Sequence, residues 1–232
     1  MITSLTNKHI KELAELKTTK GRKLSGKFIV EGKHLVSEAK ALGILEEVYT
    51  ISEDLEGILI SNEVMKKLCN TNTIVNQIGI CKKMVSNKIS NKILILDAIQ
   101  DPGNLGALMR SAKAFNFDTL FLGNGTVDPY NDKVIRSSQG AIFKLNILEG
   151  NAKDFILGLK DYKVYSTNVV NGIDVKNIEK VEKMALILGN EGNGVSEEIN
   201  KLNLPNLYIE INNTESLNVA VAGSILMYEL NK

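Results

Sequence analysis

The chain's 232 residues hold 28 Lys and Arg against 27 Asp and Glu, with 44% hydrophobic and 24% charged residues, a balance that excludes wholesale disorder. The length admits one large domain or two small ones, and the longest nearly unbroken apolar stretch, Val219 to Met227, is far below the ~18–20 residues of a bilayer span. Two His and two Cys (Cys69, Cys81) are too few for a disulfide framework or a complete zinc site, so a cytoplasmic protein with no metal and no membrane partner is expected.

Charge is uneven along the chain. Residues 1–40 carry nine Lys or Arg against four Glu, which leaves 19 basic and 23 acidic residues for the rest. A basic head on a mildly acidic body suits a polyanion, most simply nucleic acid; a solvated Lys-rich helix face is the plain alternative. Ile10, Leu13, Ala14 and Leu16 fall near helical spacing behind Asn7, a good N-cap. A polar basic link, Lys17 to Lys23, leads to an apolar strand at Phe28–Val30. Leu35–Leu42 fits a helix closed by Gly43. Strands are expected at Val48–Ile51, Ile58–Ile60 and Ile74–Ile80, with a helix at Asn62–Leu68. This first domain spans residues 1–86, and a polar linker covers 87–92.

Residues 93–232 alternate short apolar strands with helices. Strands are expected at Ile93–Leu96, Leu120–Leu122, Val164–Tyr165, Ala185–Leu188 and Leu207–Ile211. Helices are expected at Leu105–Phe115, Lys133–Gln139, Asp154–Leu159 and Leu217–Leu230. Continuous apolar strands between helices predict a parallel sheet covered on both faces, with ligand sites at strand ends. Three strand-end loops stand out. The first, DAIQDPGNLGALMR, places Asn104 at a helix start and Arg110 roughly opposite that helix's apolar face. The second, LGNEGNGV, packs three glycines into six residues around Glu191, in neither the dinucleotide nor the Walker order. The third, NNTESLNVAVAGS, is a polar turn before an apolar helix that Thr214 or Ser216 is placed to cap. Asn218 lies inside that apolar segment, and a buried amide needs partners.

These loops resemble the three motifs of the SpoU (TrmH-like) family of SPOUT RNA methyltransferases, at DPGNLGALMRSA, LILGNEGNGVSEE and IEINNTESLNVAVAGSILMYE. VIRSSQGAIFKL resembles the family's Ser-Gly-Ala segment and VYSTN its cofactor-side strand. The N-terminal pattern SLTNKHIKELAELKTTKGRKLSGKFIVEGKHLVSEA is similar to the small RNA-binding domain of L30e/L7Ae type that many members carry. The chain departs from the third motif at Ile211, where the family usually has Met, and at Asn212 or Asn213, where it usually has Gly.

The resemblance implies an α/β chain whose C-terminal domain is a parallel-sheet SPOUT fold with a deep trefoil knot, after a small L30e/L7Ae-like domain. It implies a homodimer that binds S-adenosylmethionine and methylates a ribose 2′-hydroxyl of rRNA or tRNA. Cofactor contacts then fall at Thr167, Gly189, Ile209 and Leu217. Catalytic roles fall to Arg110, Asn104, Glu191, Ser216 and Asn218, with Glu191 either holding the arginine or bracing its loop. Lys20, Arg22, Lys23 and Lys27 are expected to contact RNA phosphates. The small face Ala220/Gly223/Ser224 is suited to close packing at the dimer interface or inside the knot. The alternative is a non-catalytic RNA-binding protein of the same fold. A nucleotide-dependent oxidoreductase would need a glycine fingerprint after the first strand of a βαβ unit, and none is present.

Overall fold

Asn7 accepts hydrogen bonds from the amides of His9 and Ile10 and so starts α1 (Lys8–Glu15), whose Ile10 and Leu13 turn inward. In the computed structural model, which describes residues 1–71, 73–84, 88–169, 171–179 and 181–232, this helix opens the first of two compact units. The expected polar link instead folds largely into α2 (Thr19–Ser25), capped by Thr18. Then follow β1 (Lys27–Glu31), α3 (Lys33–Ala41), β2 (Leu45–Thr50), β3 (Ile58–Leu59), α4 (Asn62–Leu68) and β4 (Gln77–Lys82). Their sheet has the order β1-β4-β2-β3, antiparallel apart from the β2–β3 pair. Side chains of α1 and α4 bury against Ile29, Tyr49, Ile78 and Ile80. Each large aliphatic group so buried contributes about 1.5–3 kcal/mol.

The linker expected at 87–92 begins at Asn87, outside the described residues, as are Ser86 at the end of the expected first domain and Val85 before it; at its far end Lys92 already opens a strand. The second unit starts with β5 (Lys92–Leu96), α5 (Pro102–Ala114) and β6 (Thr119–Gly123). Residues Asp128–Phe143, which include α6 (Asp132–Ser138), then pack with the first unit. Tyr130 and Phe143 lie against the ring of Phe28 at centroid distances of 4.8 and 6.2 Å. The chain returns through β7 (Asn146–Gly150), α7 (Ala152–Gly158), β8 (Lys163–Thr167), β9 (Ile173–Asp174), β10 (Met184–Leu188), α8 (Glu197–Asn200), β11 (Asn206–Tyr208) and α9 (Val219–Asn231).

The seven strands of the second unit are all parallel, in the order β7-β6-β5-β10-β8-β11-β9. From β5 the chain moves outward through β6 to β7, then returns to the other side of the sheet. The topological switch point therefore lies between β5 and β10, where loops diverge and leave a crevice. Ile156 of α7 and Ile199 of α8 cover one face over Ile93, Ile95, Ala185 and Ile187. On the other, α5 and α9 pack together: a Cβ on Gly223 would stand 2.5 Å from Leu188 Cδ1 and 2.6 Å from Leu108 Cδ2, so any larger residue there forces both leucine side chains to shift. Ser224 Oγ meets Ser111 Oγ at 2.7 Å. The small face Ala220/Gly223/Ser224 is thus used inside the unit.

Arg22 requires a correction. It is 4% exposed, and its guanidinium donates twice to Asp128 Oδ2, at 2.9 and 2.7 Å, and once each to the carbonyls of Leu16 and Lys17. Removing one partner of a buried ion pair costs about 3–5 kcal/mol. With a fifth bond to Thr19 Oγ1 at 3.1 Å, all five guanidinium N–H groups are used, and this cation is committed to holding its own unit together. Lys27 is engaged too, 2.6 Å from Glu46 Oε2, a hydrogen bond that raises its pKa. Lys20 and Lys23 are exposed on α2. Burial pushes the thiols of Cys69 and Cys81 up to about 11 and about 12, so neither is a nucleophile at neutral pH.

Candidate functional site

Asp101 accepts a hydrogen bond from Asn104 N at 2.8 Å and, with Pro102 as the first helical residue, starts α5. Asp101, not Asn104, is the cap, which leaves the Asn104 side chain free to reach out. At the end of β10 the chain turns back on itself, with Asn190 N and Gly194 N each bonded to the other residue's carbonyl at 2.9 Å. A Cβ on Gly189 would lie 2.1 Å from Gly194 C and Val195 N, so this close turn admits glycine alone. At the third loop, Tyr208 ends β11, earlier than expected, and the chain leaves the sheet. The cap of α9 is Asn218, whose Oδ1 accepts from Ala220 N and Val221 N, rather than Thr214 or Ser216. Asn218 is exposed, not buried; its partners are the helix start and Asn104. Asn213 takes φ +64°, a left-handed conformation that Asn tolerates, so this segment keeps a glycine-like turn without glycine.

One hydrogen-bonded chain joins the three loops. Glu191 Oε1 accepts from Asn104 Nδ2 at 3.1 Å and from Asp101 N at 3.1 Å, and Oε2 accepts from Gln100 N at 3.3 Å. Asn104 Oδ1 accepts from Asn218 Nδ2 at 3.0 Å. Chemistry dictates every orientation: an ionised carboxylate only accepts, so Asn104 must turn its amide nitrogen to it and its oxygen to Asn218. Asn218 then has its oxygen left for the first amides of α9. Burial pushes the Glu191 carboxyl up, but bonds from Asn104, its own amide and the amides of Asp101 and Gln100 outweigh this and hold it below its ordinary value. Its negative charge also lies at the positive end of a 13-residue helix.

Beside this chain, at the C-terminal ends of β8, β10 and β11, lies a cavity of about 500 Å³. Thr167, Gly189, Ile209 and Leu217 all line it, as do Glu191 and Ser216. Leu188, Val195 and Leu226 supply apolar wall, while residues 189–194 present backbone. Such a size and mixture suit a ligand with a flat apolar ring and polar ends. Arg110 is not among the lining residues; it is exposed on α5 and makes no hydrogen bond or ion pair among the described residues. Within this chain the Glu191 carboxylate is bonded to the first loop and makes no ion pair with Arg110. Sequence reasoning gives Asn190 no role, although its Oδ1 accepts from Gly192 N and Asn193 N; an Asn entering a glycine run is a turn signal open to reading. It also misses Asp97, whose Oδ2 accepts from Ser196 N at 2.8 Å where α8 begins.

Comparison with known proteins agrees with this geometry. A profile of the SpoU rRNA methylase family matches residues 91–228, and one of an MRM3-like substrate binding domain matches residues 7–79. The 23S rRNA (guanosine(2553)-2′-O)-methyltransferase RlmP of Bacillus subtilis is 38% identical, over 99% of this chain and 98% of its own. Among solved structures, an rRNA methyltransferase from Sinorhizobium meliloti superposes with a TM-score of 0.87 at 26% identity, covering 99% of this chain and 96% of that one. Its AdoMet-bound form gives 0.85 at 25% identity with the same coverage. On the length of these matches and the parallel sheet they share, the chain belongs to the SpoU family of rRNA methylases.

Proposed function

We propose that the chain transfers a methyl group from S-adenosylmethionine to a ribose 2′-hydroxyl of RNA, with 23S rRNA as the substrate. The observation that carries this reading is the cavity at the strand ends, walled by Gly189, Ile209 and Leu217 and flanked by the Glu191–Asn104–Asn218 chain. The function printed for the Bacillus subtilis relative supports both the acceptor and the RNA. Residues present fit the donor: the glycines leave backbone open to close approach, Leu188, Val195, Leu217 and Leu226 give apolar wall beside polar side chains, and about 500 Å³ accommodates it. When bound, S-adenosylmethionine supplies a methyl group already activated by the sulfonium charge.

The protein's own task is alignment and charge stabilisation. Near-attack alignment supplies up to about 7–11 kcal/mol in the best intramolecular cases. Arg110, with a pKa above ~12, is a poor base. It orients the neighbouring phosphate and hydroxyl and stabilises the developing alkoxide as the hydroxyl proton passes to that phosphate, with S-adenosylhomocysteine as the leaving group. Asn104, Asn218 and Ser216 give the ribose a polar floor whose orientation Glu191 fixes. Because Arg110 is exposed and away from the cavity wall, a homodimer in which one protomer's Arg110 serves its partner's cavity completes the site. The chain course through residues 185–230 is read as a deep trefoil knot, supported by the late strand β10 lying between β5 and β8. The RNA-binding and methyltransferase modules are read as 1–86 and 93–232, with residues 128–143 of the second stretch packing in the first unit. A cytoplasmic location goes with the rRNA substrate; among the described residues no helix is long and apolar enough to cross a membrane.

The test is transfer of labelled methyl from S-adenosylmethionine to 23S rRNA, with label recovered in an alkali-resistant dinucleotide. Label in a base, or none with both RNA and S-adenosylhomocysteine bound, overturns the ribose assignment; the second outcome marks the non-catalytic alternative. On the first unit, Lys20→Ala with Lys23→Ala is expected to weaken RNA binding and flatten its log–log salt slope by about one per lysine. S-adenosylhomocysteine affinity should not change. An unaltered salt slope removes α2 from the RNA surface.

A further inference from the structure

The glycine loop owes its shape to one side chain whose hydrogen-bonding capacity is fully used. Asn190 Oδ1 accepts from Gly192 N at 3.0 Å and Asn193 N at 3.1 Å, which folds the loop. Asn190 Nδ2 donates to Ala98 O at 2.9 Å and, at 3.4 Å, to Glu191 Oε2, which ties the folded loop to the loop after β5. An amide offers two N–H groups and about two lone pairs, so nothing is left over. The receiving residue is itself unusual: Ala98 takes φ +60°, a conformation that costs a non-glycine residue about 1–2 kcal/mol. Strain of this kind persists where the surroundings over-determine it, and the Asn190 bond is one such constraint.

We infer that Asn190 is a positioning residue: it locks the glycine loop onto the Ala98 turn and so holds the donor cavity in its binding form before the donor arrives. The inference rests on reading that cavity as the methyl-donor site. A pre-formed loop spares the donor the cost of ordering it, so the lock acts on donor affinity rather than on the methyl-transfer step. It also separates Asn190 from Glu191, which reaches Gln100, Asp101 and Asn104 at the start of α5.

Asn190→Asp tests this with the full-length protein and S-adenosylhomocysteine as probe. The aspartate keeps an acceptor for Gly192 and Asn193 and loses both donors, so the loop can fold but not dock. Glu191 Oε2 lies 3.4 Å from Asn190 Nδ2, and its negative charge favours the protonated form of a new carboxyl at position 190. At pH 8 the variant should melt within a few degrees of wild type yet bind the probe about tenfold more weakly, with kcat at saturating donor within twofold. Lowering the pH toward 5 should restore much of the affinity, because a protonated carboxyl at position 190 again has an O–H to give to Ala98. Asn190→Ala should lose affinity at every pH. Wild-type affinity in the aspartate variant at pH 8, a pH-independent loss, or a fall in kcat with affinity intact each overturns the inference while leaving the donor site standing. Failure of the wild-type protein to bind the probe overturns the donor site and the inference together.

Discussion

Replacing Arg110 by alanine is expected to lower methyl transfer by about 10²–10³-fold, the usual loss when one preorganised donor to a developing oxyanion is removed. S-adenosylhomocysteine binding should stay within twofold of wild type. The argument is positional. The apolar face of α5 buries Leu105, Leu108, Met109 and Ala112, while Arg110 points away from it, exposed and without a hydrogen bond or ion pair among the described residues. Neither fold stability nor the cavity wall depends on this side chain, so its loss isolates the chemical step. Arg110→Lys should rescue little, because one ammonium cannot reproduce a planar fork on phosphate and hydroxyl. If the site is completed across a homodimer, mixing Arg110→Ala with a cavity-defective variant should recover activity in heterodimers. Retention of most turnover by Arg110→Ala excludes the residue from the reaction.

Glu191→Ala is the second large loss. It releases Asn104 Nδ2 and the amides of Gln100 and Asp101 together, removing three of the bonds between the second loop and the first. Small displacements of a positioned group cost about 10² in rate, and here the loop carrying Gly189 shifts as well, so donor KM should rise while kcat falls. Glu191→Gln should lie between, since one oxygen still accepts while the new amide faces the donors that the other oxygen served. The pH behaviour follows from the lowered pKa of Glu191. A depressed folded-state value means the stabilisation is complete above the unfolded pKa, about 4.3, and is lost as pH falls through the lower folded value. Donor affinity of the wild type should therefore be flat from about pH 5 upward as far as this carboxylate is concerned. A titration with a midpoint between 6 and 8 that vanishes in Glu191→Gln contradicts that reading.

Much of the chain announces its own structure. α4 falls on the residues the sequence pattern marks, and Asn7 caps α1, because local polar signals suffice for both. The three loops are conspicuous for the same reason, since Pro, Gly and Asn cluster where strands end. What escapes depends on distant partners. α2, seven residues with a glycine inside, has no local periodicity; its Arg22 is fixed by Asp128, 106 positions away. β7 is an edge strand whose residues stay partly exposed, so it lacks the continuous apolar run of the interior strands. Charge alone groups Arg22 with the lysines proposed to meet phosphates, because charge does not reveal burial. Nor does sequence disclose that Ala98 adopts a left-handed turn, or that Asn190 reaches it.

The return of residues 128–143 to the first unit has a practical side for anyone dividing this protein. Neither unit is one continuous stretch of gene, since the polypeptide passes between them three times, after Met84, Val127 and Phe143. A truncation ending in the 84–92 region would leave Arg22 without Asp128 and the Phe28 ring without Tyr130 and Phe143. Module swaps within the family therefore have to transplant two fragments at once, or accept a recipient with a hole in its hydrophobic interior and an orphaned guanidinium.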